Sequence, residues 1–277
     1  MSRRLRLTAA PYALYALVFI AAPLLLILYY SLTTGQGATL SLDNFRRFFD
    51  FNDTVYLRVL WRSLWIAGVS TAICFVLGYP MAYILSRMKA RTRNIVSFLF
   101  ILPMWMNFLL RTYAWMTLLE RTGVINTALK SVGLPSLEIM YTTGAVILGN
   151  VYNFLPFMIL PIYTSLTKID RNLIEASEDL GAGRAVTFFR VIFPLSFPGI
   201  MSGLTMTFMP AVTTFIISKL LGGGQNALIG DLIEKQFKVA GDWGFGSAMS
   251  VILMVLILLS MNALSRYEKE NAGGGLM

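Results

Sequence analysis

Histidine is absent from this 277-residue chain. Its absence removes the commonest general base and the commonest metal ligand. There is a single cysteine, Cys74, and it lies inside an apolar run. It cannot form an internal disulfide and is expected to pack as a small hydrophobe. No Gly-Lys-Ser/Thr phosphate loop occurs, so ATP hydrolysis by the chain itself is not expected. Charge is scarce as well. Asp, Glu, Lys and Arg make up 13% of the residues, where soluble domains average roughly a quarter.

What is present is apolar: 56% of the residues are hydrophobic and the mean hydropathy is +0.67. A chain of this composition needs lipid as part of its solvent, which replaces the soluble-domain prior that length alone would suggest. Six stretches are long enough to cross a bilayer, which takes about 20 residues each. They run from Pro11 to Ser31, Trp61 to Leu85, Ile95 to Leu119, Ile139 to Leu166, Phe193 to Leu221 and Phe245 to Leu264. The first exceeds the 7–15-residue core of a signal peptide and no small-x-small cleavage site follows it, so an uncleaved span is expected. Pro156, Pro161 and Pro210 fall inside spans, where neighbouring groups can satisfy the freed carbonyls, and are expected to bend their helices.

With six spans both termini face one side. If that side is the cytoplasm it holds Arg3, Arg4, Arg6, Arg87, Lys89, Arg91, Arg93, Lys168, Arg171, Arg184, Arg190, Arg266 and Lys269. The short loop from Arg87 to Arg93 carries four basic residues and no acid, and the positive-inside bias is strongest in short loops. The net charge of +9 is thus explained by flanks of membrane spans rather than by nucleic acid.

Between the fourth and fifth spans lies the most charged stretch. Eight charged residues fall between Lys168 and Arg190. Leu173, Ala176, Ser177 and Leu180 recur at i, i+3, i+4 and i+7, one stripe of a short helix. Gly181 and Gly183 then break it, and a second short helix carries Val186, Phe189 and Arg190 before Pro194 opens the next span. The expected product is a helix–turn–helix knob at the membrane surface. Glu175, Glu178 and Asp179 speak against its lying in an anionic lipid interface, and a protein partner suits them better.

Glu175-Ala176-Ser177, three residues, Gly181, nine residues, then Val191-x-Phe193-Pro194 resembles the cytoplasmic signature of type I ABC importer permeases. In that family the pattern reads Glu-Ala-Ala, then Gly, then Ile-x-Leu-Pro at the same spacing. This chain departs at Ser177, Val191 and Phe193. Leu77-Gly78-Tyr79-Pro80, Leu110-Arg111-Thr112-Tyr113 and Asn153-Phe154-Leu155-Pro156 resemble the permeases of spermidine/putrescine importers. So do the segments from Leu221 to Gly230 and from Asp242 to Gly246. The likeness covers nearly the whole chain.

The resemblance implies an all-α polytopic membrane protein of six transmembrane helices with the type I permease fold. It implies a cytoplasmic N-terminus over 1–10, a first span over 11–31, an extracytoplasmic loop over 32–60, a permease core over 61–266 and a cytoplasmic tail over 267–277. Residues 168–194 become a coupling segment, in which Glu175, Ala176, Ser177, Glu178, Gly181 and Pro194 meet an ATPase subunit. The implied partners are a second permease subunit, two ATP-binding subunits that carry ATP and Mg, and an extracytoplasmic binding protein, all at a bacterial inner membrane.

A polyamine carries several ammonium groups that are costly to desolvate, and the route needs carboxylates, carbonyls or aromatic faces. Trp105, Asn107, Tyr113, Tyr152, Asn153 and Phe215 are candidates for it, alongside Trp115, Phe154 and Asn150. Each of these also has an ordinary packing or helix-linking explanation. No acid lies mid-span; Glu120, Asp231, Glu234 and Asp242 are nearest. Arg111 falls within the third span, expected either to reach the interface or to pair with an acid. An ion-driven carrier would want midplane ionisable groups and internal repeats, and an intramembrane enzyme an acid–base pair; neither is evident.

Overall fold

A computed structural model describes residues 11–34, 39–50, 53–224 and 226–273. Arg3, Arg4 and Arg6, with the rest of the expected N-terminal segment 1–10, lie outside the described residues, as does the end of the tail from 274. Among the described residues, four continuous helices are long and apolar enough to span a membrane: Pro11–Ser31, Val55–Arg87, Thr143–Thr167 and Trp243–Ala263. Two helix pairs meet the same test only together, each bent at a short break: Ala90–Trp105 with Phe108–Ser131 and Arg184–Leu195 with Phe197–Thr213. With each bent pair counted as one broken span, the total is the six expected.

The bent pairs correct two boundaries. The stretch Ile95–Leu119 is not one helix: its halves meet at 94°. Pro103 has no N–H for the preceding turn, and the Asn107 side chain accepts from Leu109 N at 2.9 Å, which starts a new helix. Arg111 donates from Nη1 to Pro103 O at 2.9 Å and is only 9% exposed. A cation there meets the negative end of the Ala90–Trp105 helix dipole. The fifth span ends at Thr213, its longer limb being Phe197–Thr213, and Ile216–Leu221 is a separate short helix. Its 60° bend falls at Ser196, where Pro198 cannot donate to the carbonyl of Pro194. The helix Thr143–Thr167 runs unbroken across Pro156 and Pro161.

The chain divides into two units, Met1–Arg58 with Leu232–Leu258 and Val59–Asp231 with Leu259–Met277. In the first unit, Pro11–Ser31 is apolar on every face and its most hydropathic stretch has no residue buried by protein. A helix of that kind is a lipid- or partner-facing span. After it, strands Thr33–Thr34 and Thr39–Leu40 pair antiparallel, Thr33 opposite Leu40. Asn44, on the helix Asp43–Phe48, donates Nδ2 to Ser31 O at 3.2 Å and Thr33 O at 3.0 Å. It thereby satisfies one carbonyl that the first span leaves open and one of the strand that follows. Asp242 accepts from Phe245 N at 3.0 Å as the cap of the last span and pairs with Arg47 at 2.8 Å. The Arg47 guanidinium also lies 4.2 Å from the centroid of the Phe245 ring. The segment Asp242 to Gly246 is therefore a structural clasp.

An Asp242→Ala chain should lose about 1–2 kcal/mol, the cap supplying most and the half-exposed ion pair little. Thermal melting in detergent checks this. Asp242→Asn, which keeps the cap acceptor, should recover most of the loss.

In the second unit, Thr143–Thr167 and Phe197–Thr213 pack closely. Gly199 and Gly203 lie one turn apart on the contact. A Cβ at Gly199 would sit 2.5 Å from Ser165 Cβ and 2.7 Å from Pro161 O. Lipid gives no hydrophobic drive for helix pairing, so such close approach is what holds spans together. The helix Val55–Arg87 joins the same core through Cys74, Tyr79, Ala82 and Leu85 against Met158, Ile159 and Ile162. Cys74 is fully buried there.

Candidate functional site

The charged knob forms on the second unit. Asp170 caps its first helix, Arg171–Asp179, by accepting from Asn172 N at 3.0 Å. At the other end Gly181 N donates to Glu178 O at 2.9 Å and Ala182 N to Ser177 O at 3.1 Å. That pair of bonds is a Schellman turn, which needs a left-handed residue at its C′ position. Gly181 supplies it with φ +82°. Gly183 then precedes Arg184–Thr187, which continues helically through Leu195 to the bend.

Ser177 joins the two limbs. Its hydroxyl shares a 3.1 Å hydrogen bond with that of Thr187, which is almost fully buried. The family pattern has Ala at this place, so the bond comes with the departure. Below Thr187, the Phe188 ring stands edge-on between Tyr79 and Tyr83 of the second span. The ring centroids are 5.8 and 5.4 Å away, each at 88°.

The stripe of Leu173, Ala176, Ser177 and Leu180 splits in two. Ile174 and Ser177 turn toward the protein, while Leu173, Ala176 and Leu180 are exposed, Leu180 to 89%. Glu175, Glu178 and Asp179 are exposed, and none is in an ion pair with a described residue. Pro194 is exposed at the far end of the second limb. Beside the helix runs a cleft of about 540 Å³ lined by Arg87, Arg93, Arg171, Glu175 and Glu178. The knob thus offers an apolar strip with acids along it and basic residues at its foot, a surface suited to a protein groove.

The candidates for a solute route are dispersed. Trp105 and Asn107 sit exposed at the break in the third span, Asn107 as the helix cap. Tyr113 is half-exposed on the following helix. Tyr152 packs edge-on against Trp115 at 5.1 Å. Asn153 is buried and donates to Gly149 O at 2.8 Å, and Asn150 donates to Ser70 at 3.4 Å. Phe215 lies at the break before Ile216–Leu221. Among the described residues, none of Trp105, Asn107, Tyr113, Tyr152, Asn153 and Phe215 meets another through a hydrogen bond or ring pair.

The acids named from sequence are mostly engaged. Asp231 accepts from Ser218 Oγ and Leu228 N, both at 2.6 Å. Glu234 pairs with Lys238 at 3.0 Å, and Asp242 with Arg47. Glu120 is exposed.

Sequence reasoning passed over Thr187, Phe188, Tyr83 and the Gly199/Gly203 pair. Only the glycines carried a signal, their small-x-x-x-small spacing.

Residues 74–269 match the family described as binding-protein-dependent transport system inner membrane component. The chain belongs to that family: it is a multi-pass inner-membrane permease subunit of an ABC importer, a transport protein rather than an enzyme. It is 38% identical to the spermidine/putrescine transport system permease protein PotB of Haemophilus influenzae, covering 95% of this chain and 94% of that one. To the protein of the same name from Escherichia coli it is 39% identical, over 89% of this chain and 91% of the relative. Among solved structures, a chain of a bacterial ABC transporter that imports alginate matches with a TM-score of 0.81 at 18% identity, over 96% and 95% of the two chains. At that identity the match speaks for the type I fold alone.

Proposed function

We propose that the chain is one of two permease subunits of an importer for spermidine and putrescine, driven through the knob at Arg171–Asp179. The observation that carries this is the exposed acidic helix closed by a Schellman turn at Gly181, at the spacing by which the family meets its ATPase. Two cytoplasmic ATP-binding subunits carry ATP and Mg and grip Glu175, Ala176, Ser177, Glu178 and Gly181; Pro194 ends the segment. A second, similar permease completes the route, and an extracytoplasmic binding protein delivers the solute. An alginate importer of this fold has been solved in complex with its substrate-bound periplasmic protein, which supports the last of these by analogy.

The four basic residues from Arg87 to Arg93 favour a cytoplasmic position for their loop, and with it for both termini. Relatives named for spermidine and putrescine support the substrate. With Asp231, Glu234 and Asp242 engaged in the fold, the partner permease or the binding protein supplies most acidic contacts to the polycation. Trp105, Tyr113, Tyr152 and Phe215 offer ring faces, and Asn107 and Asn153 polar ones, where they reach the route.

A Glu175→Cys chain should react with an impermeant maleimide only when the cytoplasmic face is open, as in inverted vesicles. Labelling from the outside of intact cells would refute the docking. The native chain should also bring down an ATP-binding subunit and a binding protein that titrates with spermidine. A binding protein that ignores polyamines but takes another solute would overturn the substrate and leave the class standing.

A further inference from the structure

On the reading that an ATPase subunit grips the knob, a mechanical question follows: which span receives the movement. The chain itself leads from the knob into the fourth and fifth spans. The side chains lead elsewhere. Ser177 on the gripped helix bonds Thr187 on the second limb. The next residue, Phe188, stands edge-on between Tyr79 and Tyr83. Tyr79 also meets Phe193 at 5.5 Å, and its hydroxyl lies 3.0 Å from that of buried Ser196, at the bend. Tyr79 and Tyr83 are one turn apart on Val55–Arg87, and Tyr79 is itself buried.

Edge-to-face rings have a preferred geometry, so a ring held between two others resists sliding and tilting. A close-packed contact of this kind transmits displacement instead of absorbing it. The knob is therefore fastened to the second span at two heights, by Phe188 between the tyrosine rings and by Ser196 on the Tyr79 hydroxyl.

We propose that Phe188, seated between Tyr79 and Tyr83 and tied to the gripped helix through Thr187 and Ser177, is a positioning residue that passes movement of the knob to the second span. Ser177 and Thr187 hold the limbs together so that the knob moves as one piece. Phe188 converts that movement into a displacement of Val55–Arg87, a helix with no covalent link to the knob nearer than two spans away.

The test uses the assembled importer in proteoliposomes with radiolabelled spermidine. Retention of the ATPase subunit, ATP hydrolysis, spermidine moved per ATP and melting temperature are each measured. Phe188→Leu and Thr187→Val should keep the ATPase subunit and its hydrolysis, yet move roughly tenfold less spermidine per ATP. Thr187→Ser, which restores the hydroxyl, should return to the native ratio. Tyr79→Phe keeps the rings and loses only the bond to Ser196, so its loss should be smaller. Native ratios in Phe188→Leu and Thr187→Val would overturn the relay while leaving the docking intact. Ratios that fall only in step with melting temperature would overturn it too, since these residues would then serve stability alone. A native chain that retains no ATPase subunit would sink the docking reading itself, and the relay with it.

Discussion

A Gly199→Val chain should accumulate in the membrane at a small fraction of the native level, and the surviving protein should melt many degrees lower in detergent. The cause is close approach of two spans. A Cβ at Gly199 meets Ser165 Cβ at 2.5 Å, Pro161 O at 2.7 Å and Ile162 Cα at 3.1 Å. Two of those three atoms are backbone and cannot swing aside. Overpacking a well-packed site costs about 1–3 kcal/mol when side chains can yield, and with backbone in the way the cost lies at or above the upper end. Gly203→Ala should be milder, because its nearest obstacle, at 2.9 Å, is the Met158 sulfur, a flexible atom. Gly68→Ala serves as the contrast. No described residue lies within 4 Å of a Cβ there, and removing a helical glycine should be neutral or gain up to about 1 kcal/mol. Fluorescence-detected chromatography and melting of the three chains decide the matter. If Gly199→Val melts like the native chain, the two spans are not in the contact described.

Why those glycines were not singled out, while the spans around them were, has a physical answer. Hydropathy reports which segments leave water, and it found the six. It is silent on which side of a span meets protein, because lipid and a neighbouring helix are equally apolar. Pro11–Ser31, apolar all round, and Thr143–Thr167, more than half buried, read alike. The same blindness explains the knob. Its spacing from Glu175 to Pro194 was fully legible, yet Leu173, Ala176, Ser177 and Leu180 read as one stripe. A face that packs inward and a face kept for a partner have the same composition. The break in the third span was in view as Asn107 following Pro103, but a capping side chain and a pathway side chain use the same amide. Arg111 was the reverse case. A charge in a span invites an acidic partner, and here the broken helix offers it a backbone carbonyl, Pro103 O.

The knob invites the sharpest single test, at Gly181. A Gly181→Val importer should reach the membrane at native levels and hydrolyse ATP, yet take up solute about tenfold more slowly. Among the described residues nothing lies within 4 Å of a Cβ there; the obstacle is backbone conformation. At φ +82° a side chain costs about 1–2 kcal/mol, and every 1.4 kcal/mol is about a factor of ten in population. The helix Arg171–Asp179 has nine residues, too few to hold itself in water without its caps, so the strain falls on the Schellman turn. Once the turn opens, the Ser177 and Glu178 carbonyls lose their amide donors and the exposed strip of Leu173, Ala176 and Leu180 is no longer presented at a fixed angle. Asparagine tolerates the left-handed region far better than valine, so Gly181→Asn should keep most of the uptake. That ordering separates backbone strain from contact. If asparagine and valine were equally damaging, the loss would come from a side chain intruding on the ATPase groove. If valine transported as glycine does, the turn would not set the angle at which the knob is gripped.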